Sequence, residues 1–297
     1  MKTKFSRLIP AAALLGLVFT SCQKNDQPGP SSPQTTTQSL LLAATNAIAN
    51  GGSQQNEEVS DVLGSNVVAA GDSTSCRVVT FDPSRFVYPH LKTVDFGSGC
   101  TGPDGITRSG KKLITVYADW KTASAGTLLS ETTFSDFYVN NVSVSGNIKI
   151  YIDSAAMPGP LGLKVIVNKT FTDSKGNTST FAATNYWVQT AGDTSTTSAD
   201  NVYQITGSAS GTEVLDGSTA LTWTSNTDPN DPIIKMGDCF YRSKGGIEVQ
   251  LTLATGNMFN EYLNYGDGTC DNTATLTISG GTPQQVTLPL SFWPLSL

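Results

Sequence analysis

Apolar and polar residues alternate one by one through several stretches of this chain, and that pattern restricts the fold more than any other feature. In VSVSGNIKIYI, Val142, Val144, Ile148, Ile150 and Ile152 alternate with Ser143, Ser145, Asn147, Lys149 and Tyr151. IEVQLTLA repeats the pattern with Ile247, Val249, Leu251 and Leu253, and TATLTI with Ala274, Leu276 and Ile278. A period of two sends successive side chains to opposite faces of a strand. One face is then packed and the other wet, which is the habit of antiparallel sheets.

Turn-forming residues fall between these runs. Asn140-Asn141 joins two strands with residues that tolerate left-handed dihedrals. DSKGN at 173–177, TGN at 255–257 and SGGT at 279–282 do likewise. The spacing predicts an all-β, antiparallel meander of about a dozen strands from Cys76 onward. A sandwich or a partly closed, barrel-like sheet would both bring its apolar faces together.

The chain before Cys76 reads differently. MKTKFSR followed by LIPAAALLGLVF has the basic and apolar regions of an export signal, expected to cover residues 1–21. Thr20 and Ser21 lead into Cys22, as in a lipobox, so Cys22 is the expected lipidation site. Phe19 departs from the aliphatic residue usual there. Acyl carbons buried at ~0.8 kcal/mol each would anchor the chain. The lipid places it at the outer membrane, facing the periplasm or the cell surface. KND in the following segment faintly resembles an export signal of surface lipoproteins. Residues 22–38, rich in Pro, Ser, Thr and Gln, read as a flexible tether. Residues 39–75 read as a short helical and linker segment: SLLLAATNAIANG with a glycine stop, then a second helical stretch at EEVSDVLGSNVVAAG.

Charge narrows the partners. Without Lys2, Lys4 and Arg7 the chain keeps 15 basic against 24 acidic residues. That excess argues against nucleic-acid binding and electrostatic docking on anionic lipid. Four cysteines remain after Cys22: Cys76, Cys100, Cys239 and Cys270. With no C-x-x-C and a single histidine, disulfides fit better than zinc.

Of three possible connectivities, an internal repeat favours one. Cys76 is followed by a strand and then VDFGSGC; Cys239 is followed by a hairpin and then LNYGDGTC. Each unit has a first cysteine, an aromatic-Gly-x-Gly corner ending in a second cysteine, and an alternating strand. Matched organisation predicts matched bonds, 76–100 and 239–270.

TVDFGSGCTGPDGITRSGKKLITV, FSDFYVNNVSVSG, YQITGSASGT and YGDGTCDNTATLTISG together resemble a group of uncharacterised Bacteroidota lipoproteins. These carry an early DFGxGC/DGxxRxGK block and a YGDGxCDN block near the end. The resemblance implies an exported all-β lipoprotein and brings no activity with it.

Few stretches suggest chemistry. Asp267, Asp271 and Asn272 offer hard oxygens for a calcium ion among glycines. The twin loop has Ser98 in place of Asp267, so a stapled turn accounts for the shared part and no cofactor is required. Asp228, Asn230 and Asp231 in SNTDPNDP form a second acidic loop of ordinary turn-initiating steps. GPDG at 102–105, with Arg108 and Lys111 beyond it, is either an anion nest or a turn whose cations pair with Asp95 and Asp104. GSASG at 207–211 puts Ala209 where a nucleophile elbow needs serine, and His90 beside Pro89 has no evident triad partners. Trp120, Trp187 and Trp223 are candidates for a sugar-stacking platform, or else core residues. Paired carboxylates carry no local signature.

The reading that follows is a lipid-anchored envelope protein with a binding or structural role toward a glycan, peptide or partner protein, and no catalysis. A fimbrial or adhesin-type subunit, docking through QQVTLPLSFWPLSL, is the alternative; a glycan hydrolase with two carboxylates is a third.

Overall fold

The computed structural model describes residues 33–63, 76–102, 105–154, 160–192, 200–237, 239 and 241–288. Among them is one α-helix, α1 (Pro33–Leu63). The first strands are β1 (Val78–Asp82), β2 (His90–Asp95), β3 (Cys100–Thr101), β4 (Thr107–Val116) and β5 (Leu128–Val139). Then come β6 (Val142–Ser154), β7 (Gly162–Thr172), β8 (Thr178–Ala191), β9 (Val202–Leu215) and β10 (Ser218–Thr227). The last are β11 (Ile233–Met236), β12 (Lys244–Leu253), β13 (Met258–Asp267), β14 (Thr273–Ile278) and β15 (Gln284–Thr287).

All fifteen strands belong to one antiparallel sheet, and neighbours in sequence are almost always neighbours in space. The expected meander is what forms. The hairpin at Asn140-Asn141 pairs Val139 with Val142, with both asparagines at positive φ, 47° and 66°. Asp216-Gly217 makes a second two-residue turn between Leu215 and Ser218, at φ 49° and 74°. β10 and β11 both run antiparallel to β9 and follow one another along it, so they act as one strand interrupted at residues 228–232. The acidic SNTDPNDP segment is that interruption.

One face of the sheet covers α1. Val144, Ile148 and Ile150 of β6, Leu163 and Val165 of β7, and Leu251 and Leu263 of β12 and β13 are buried with Ala44, Ile48 and Val59 of the helix. Polar contacts show how far around the helix the sheet reaches. Thr45 of α1 bonds Glu261 on β13, Gln55 meets Asn185 on β8, and Asp61 pairs with Lys92 on β2. β2 and β13 are nine strand steps apart, ~43 Å in a flat sheet. Thr45 and Asp61 are only ~24 Å apart along a helix. The sheet therefore curves around α1, which fills its concave side.

The helix corrects the reading of residues 22–75. It begins at Pro33, inside the stretch read as tether, and continues through Gly51 and Gly52 where a stop was expected. Packing overrides propensity here. A Cβ on Gly51 would lie 2.5 Å from the Phe181 ring, and one on Gly52 2.6 Å from Arg242. The two glycines let the sheet approach the helix backbone. Residues 64–71 of the second expected helical stretch, and the export signal and Cys22, lie outside the described residues.

The disulfides are Cys76–Cys100 and Cys239–Cys270, the pairing the repeat predicts. Among the described residues, no helix is long and apolar enough to cross a membrane.

Candidate functional site

The outer face of β10, β12, β13 and β14 carries two rows of polar side chains. Asn226 lies opposite Glu248, Glu248 opposite Tyr262, and Tyr262 opposite Thr277. In the adjacent row Thr224 faces Gln250 and Gln250 faces Asn260, whose backbone N–H donates to Ser279 Oγ at 3.2 Å. Alternation places these groups outward because Val249, Leu251 and Leu263 are turned to the helix. The rows line a groove of about 790 Å³, with exposed Met258 beside them.

The interrupted strand closes one end of this surface. Residues 228–232 lie over the outer face, where the Tyr262 hydroxyl donates to Asp228 Oδ2 at 3.2 Å. Asp228 and Gly246 hold the segment to β12 by a backbone bond of 2.9 Å. Desolvation, the bond to Asp228 and that carboxylate's charge all raise the Tyr262 pKa, so the phenol stays protonated and donating. Gly245, at φ 100°, allows the approach, since a Cβ there would sit 2.4 Å from the Pro232 carbonyl oxygen.

Chemically the groove offers amides, hydroxyls, one aromatic ring and the Glu248 carboxylate. Glu261 forms part of its floor but turns its carboxyl to the opposite face, where Thr45 Oγ1 donates at 2.6 Å. Burial pushes Glu261 up to about 7, against the lowering effect of Thr45. The two carboxylates at the groove therefore lie on opposite faces of the sheet.

The inner face holds a second polar constellation. Lys112 Nζ, on a lysine only 1% exposed, lies 2.9 Å from Glu57 Oε1, 2.7 Å from Asp61 Oδ2 and 3.6 Å from Glu58 Oε1. Arg108 reaches Glu57 at 3.2 Å and Lys92 reaches Asp61 at 3.0 Å. Burial would lower the Lys112 pKa, but Asp61, Glu57 and Glu58 hold it above the ordinary lysine value. Burial lowers Lys169 to about 8, opposed by the Glu58 charge. Further along the sheet, burial raises Glu213 to about 7 although Ser179 and Trp223 donate to its Oε1.

Sequence reasoning missed these inward charges, yet a signal exists. Lys112 shares parity with Ile114 and Val116, Lys169 with Val165 and Val167, and Glu261 with Leu263. A charge on the apolar parity of a strand requires a partner in the core.

The expected site residues fare unevenly. Asp267 Oδ1 accepts from the N–H and hydroxyl of Thr269, and Asp271 Oδ1 from those of Thr273. Asp267 and Asp271 thus serve local turns, while the Asn272 carbonyl accepts from the Leu288 N–H, and no group of three acidic, histidine or cysteine ligands occurs among the described residues. Lys111 pairs with Asp95 at 3.1 Å, whereas Arg108 turns inward to α1 instead of toward an anion nest. Asp104 and residues 289–297 lie outside the described residues. His90 is the buried first residue of β2, its Nδ1 3.0 Å from the Val87 carbonyl. The stacking platform is corrected: Trp187 and Trp223 are each 1% exposed on the helix-facing side, and Trp120 is partly buried against the core. Indoles this large contribute more by filling the interior than by waiting at a surface.

Compared with known proteins, the chain matches no family model, no curated protein and no solved structure.

Proposed function

We propose that this chain is a lipid-anchored envelope protein that binds a glycan on the outer face of β10, β12, β13 and β14, without catalysis. The observation that supports the reading is the groove itself: two registered rows of amide and hydroxyl side chains on a rigid sheet, with Tyr262 oriented by Asp228. Neutral donors and acceptors at strand spacing suit the hydroxyls of a sugar chain, and a tyrosine face suits its apolar side. The lipid anchor at Cys22 and the outer-membrane location rest on the sequence alone.

The full-length chain, purified in detergent, is tested on a glycan array. Retention on a subset of glycans is expected, weakened about tenfold or more by Asn226→Ala or Gln250→Ala with thermal melting unchanged. An array that retains no native protein overturns the reading. For the anchor, metabolic labelling with an alkyne fatty acid is expected to mark the native chain and not Cys22→Ala.

One observation favours the fimbrial reading as a second. Among the described residues β1 is an edge strand whose five residues are all exposed, and Val78, Val79 and Phe81 give it an apolar character without a proline or lysine within it. Such an edge accepts an added strand. A monomer at every concentration by light scattering would count against that role.

A further inference from the structure

The two cysteine-bounded units place the same construction against one helix, the first at its last turns and the second near its middle. In the first, the disulfide Cys76–Cys100 follows the corner that begins with Phe96, a ring 4% exposed. Lys112 Nζ stands 5.9 Å from the centre of that ring and points to α1, where Glu57 and Asp61 receive it. In the second, the disulfide Cys239–Cys270 closes the corner that begins with Tyr265, a ring 3% exposed. Arg242 Cζ stands 5.6 Å from the centre of that ring and also lies against α1, at Gly52. So each unit presents a buried cation, backed by a buried aromatic, to the same helix.

The units differ in what answers the cation. Lys112 meets three carboxylates of α1. Arg242, 4% exposed, is ion-paired with no carboxylate among the described residues, and its Nε has no hydrogen-bond partner there. The Tyr265 hydroxyl is likewise buried without a partner, as are both amide atoms of Asn56, a residue 5% exposed. Asn56 lies one turn beyond Gly52 on the same helix face, and helical side chains lean toward the N-terminus, here toward Gly52. A guanidinium and a phenol thus lie together, from β12's leading segment and β13, and the carboxamide lies one helical turn from the glycine that the guanidinium touches. A buried guanidinium without a counter-charge is strongly unfavourable.

We propose that these three side chains form a binding site for a small oxyanion, which takes the place at Arg242 that the helix carboxylates take at Lys112. The guanidinium fork fits two oxygens of a carboxylate or phosphate in its plane. The phenol O–H and the Asn56 N–H supply donors to the remaining lone pairs. Gly52, without a side chain, lets the guanidinium lie directly against the helix backbone: a Cβ there would meet its Cζ at 2.6 Å. Lys92, Arg108 and Lys112 each pair with carboxylates of α1, which sets Arg242 apart from them among the described residues. This site lies on the inner side of the sheet, apart from the outer groove.

The test uses the full-length chain in detergent, melted in sodium chloride and then with acetate or inorganic phosphate at matched ionic strength. A saturable rise in melting temperature of several degrees is expected from at least one of the two anions. Acetate alone assigns the site to carboxylates, and phosphate alone to phosphate-bearing ligands. Arg242→Gln is expected to abolish the rise, and Tyr265→Phe to weaken the anion about tenfold or more. A native chain that responds to neither anion overturns the proposal, as does a response unchanged in Arg242→Gln. Should Arg242→Gln not fold, the near-isosteric Tyr265→Phe decides: undiminished affinity in that variant also overturns it.

Discussion

Lys112 Nζ on β4 lies 2.7 Å from Asp61 Oδ2 on α1, inside a structure whose remaining helix contacts are mostly small and apolar. The pair ties the last turns of the helix to the N-terminal half of the sheet. Burial by itself would raise the carboxyls of Glu57 and Asp61, but Lys112 with Arg108 and Lys92 holds both below the usual range. Glu58 goes the other way, raised by burial despite Lys112.

Removing the lysine takes a counter-charge from buried Glu58 and from partly buried Glu57 and Asp61, which keep Arg108 and Lys92. Lys112→Met is expected to destabilise the fold by about 3–5 kcal/mol. Urea unfolding checks this, and adding Asp61→Asn to the variant is expected to recover part of the loss.

Gly51 provides a test of sign. In a free helix Gly→Ala stabilises by ~1 kcal/mol. Here the new Cβ would meet the buried Phe181 ring at 2.5 Å, so Gly51→Ala is expected to destabilise by about 1–3 kcal/mol. Thermal melting of the single variant is sufficient, and a higher melting temperature would contradict the packing described.

Glu261 predicts a pH dependence. Its folded pKa, about 7, lies above the ordinary value of 4.5, so the folded state holds the proton more tightly than the unfolded one. Its contribution is complete below pH 4.5 and is lost as pH rises through 7. The loss amounts to roughly 3 kcal/mol at 1.36 kcal/mol per pH unit. Glu261→Gln keeps an amide donor and acceptor in place and is expected to flatten this part of the stability profile, read from urea midpoints between pH 5 and about 8.

Each disulfide closes a short loop, with separations of 24 and 31 residues. Cys76→Ser with Cys100→Ser, and separately Cys239→Ser with Cys270→Ser, are each expected to cost about 3–4 kcal/mol. Differential scanning calorimetry measures both, and the second pair of substitutions is also expected to weaken any anion response at Arg242.

Much of the sheet was legible because strand periodicity is a local property. Val142 to Ile152 alternate in the sequence and face the core in alternation, and Asn140-Asn141 turns where such residues turn. The disulfide pairing was legible from the repeated aromatic-glycine corner. Trp187 and Trp223 were not, because their neighbours on the same parity include Asn185 and Ser225, polar residues that blur which face is inside. Nor was the groove, since Asn226, Gln250 and Asn260 are separated in the chain and meet only through strand register.

By itself, then, the sequence determined the strands, their turns, the antiparallel meander and the two cross-links, all set by local alternation, turn chemistry or repetition. Only the tertiary structure decided that α1 runs unbroken through Gly51-Gly52, that Lys112 and Glu261 belong inside, and that Arg242 and Tyr265 meet beside Gly52. The physical reason is common to all three. Each depends on what lies across the helix–sheet interface, where close approach rewards a missing side chain and low dielectric makes a buried charge depend on a partner far away in the chain.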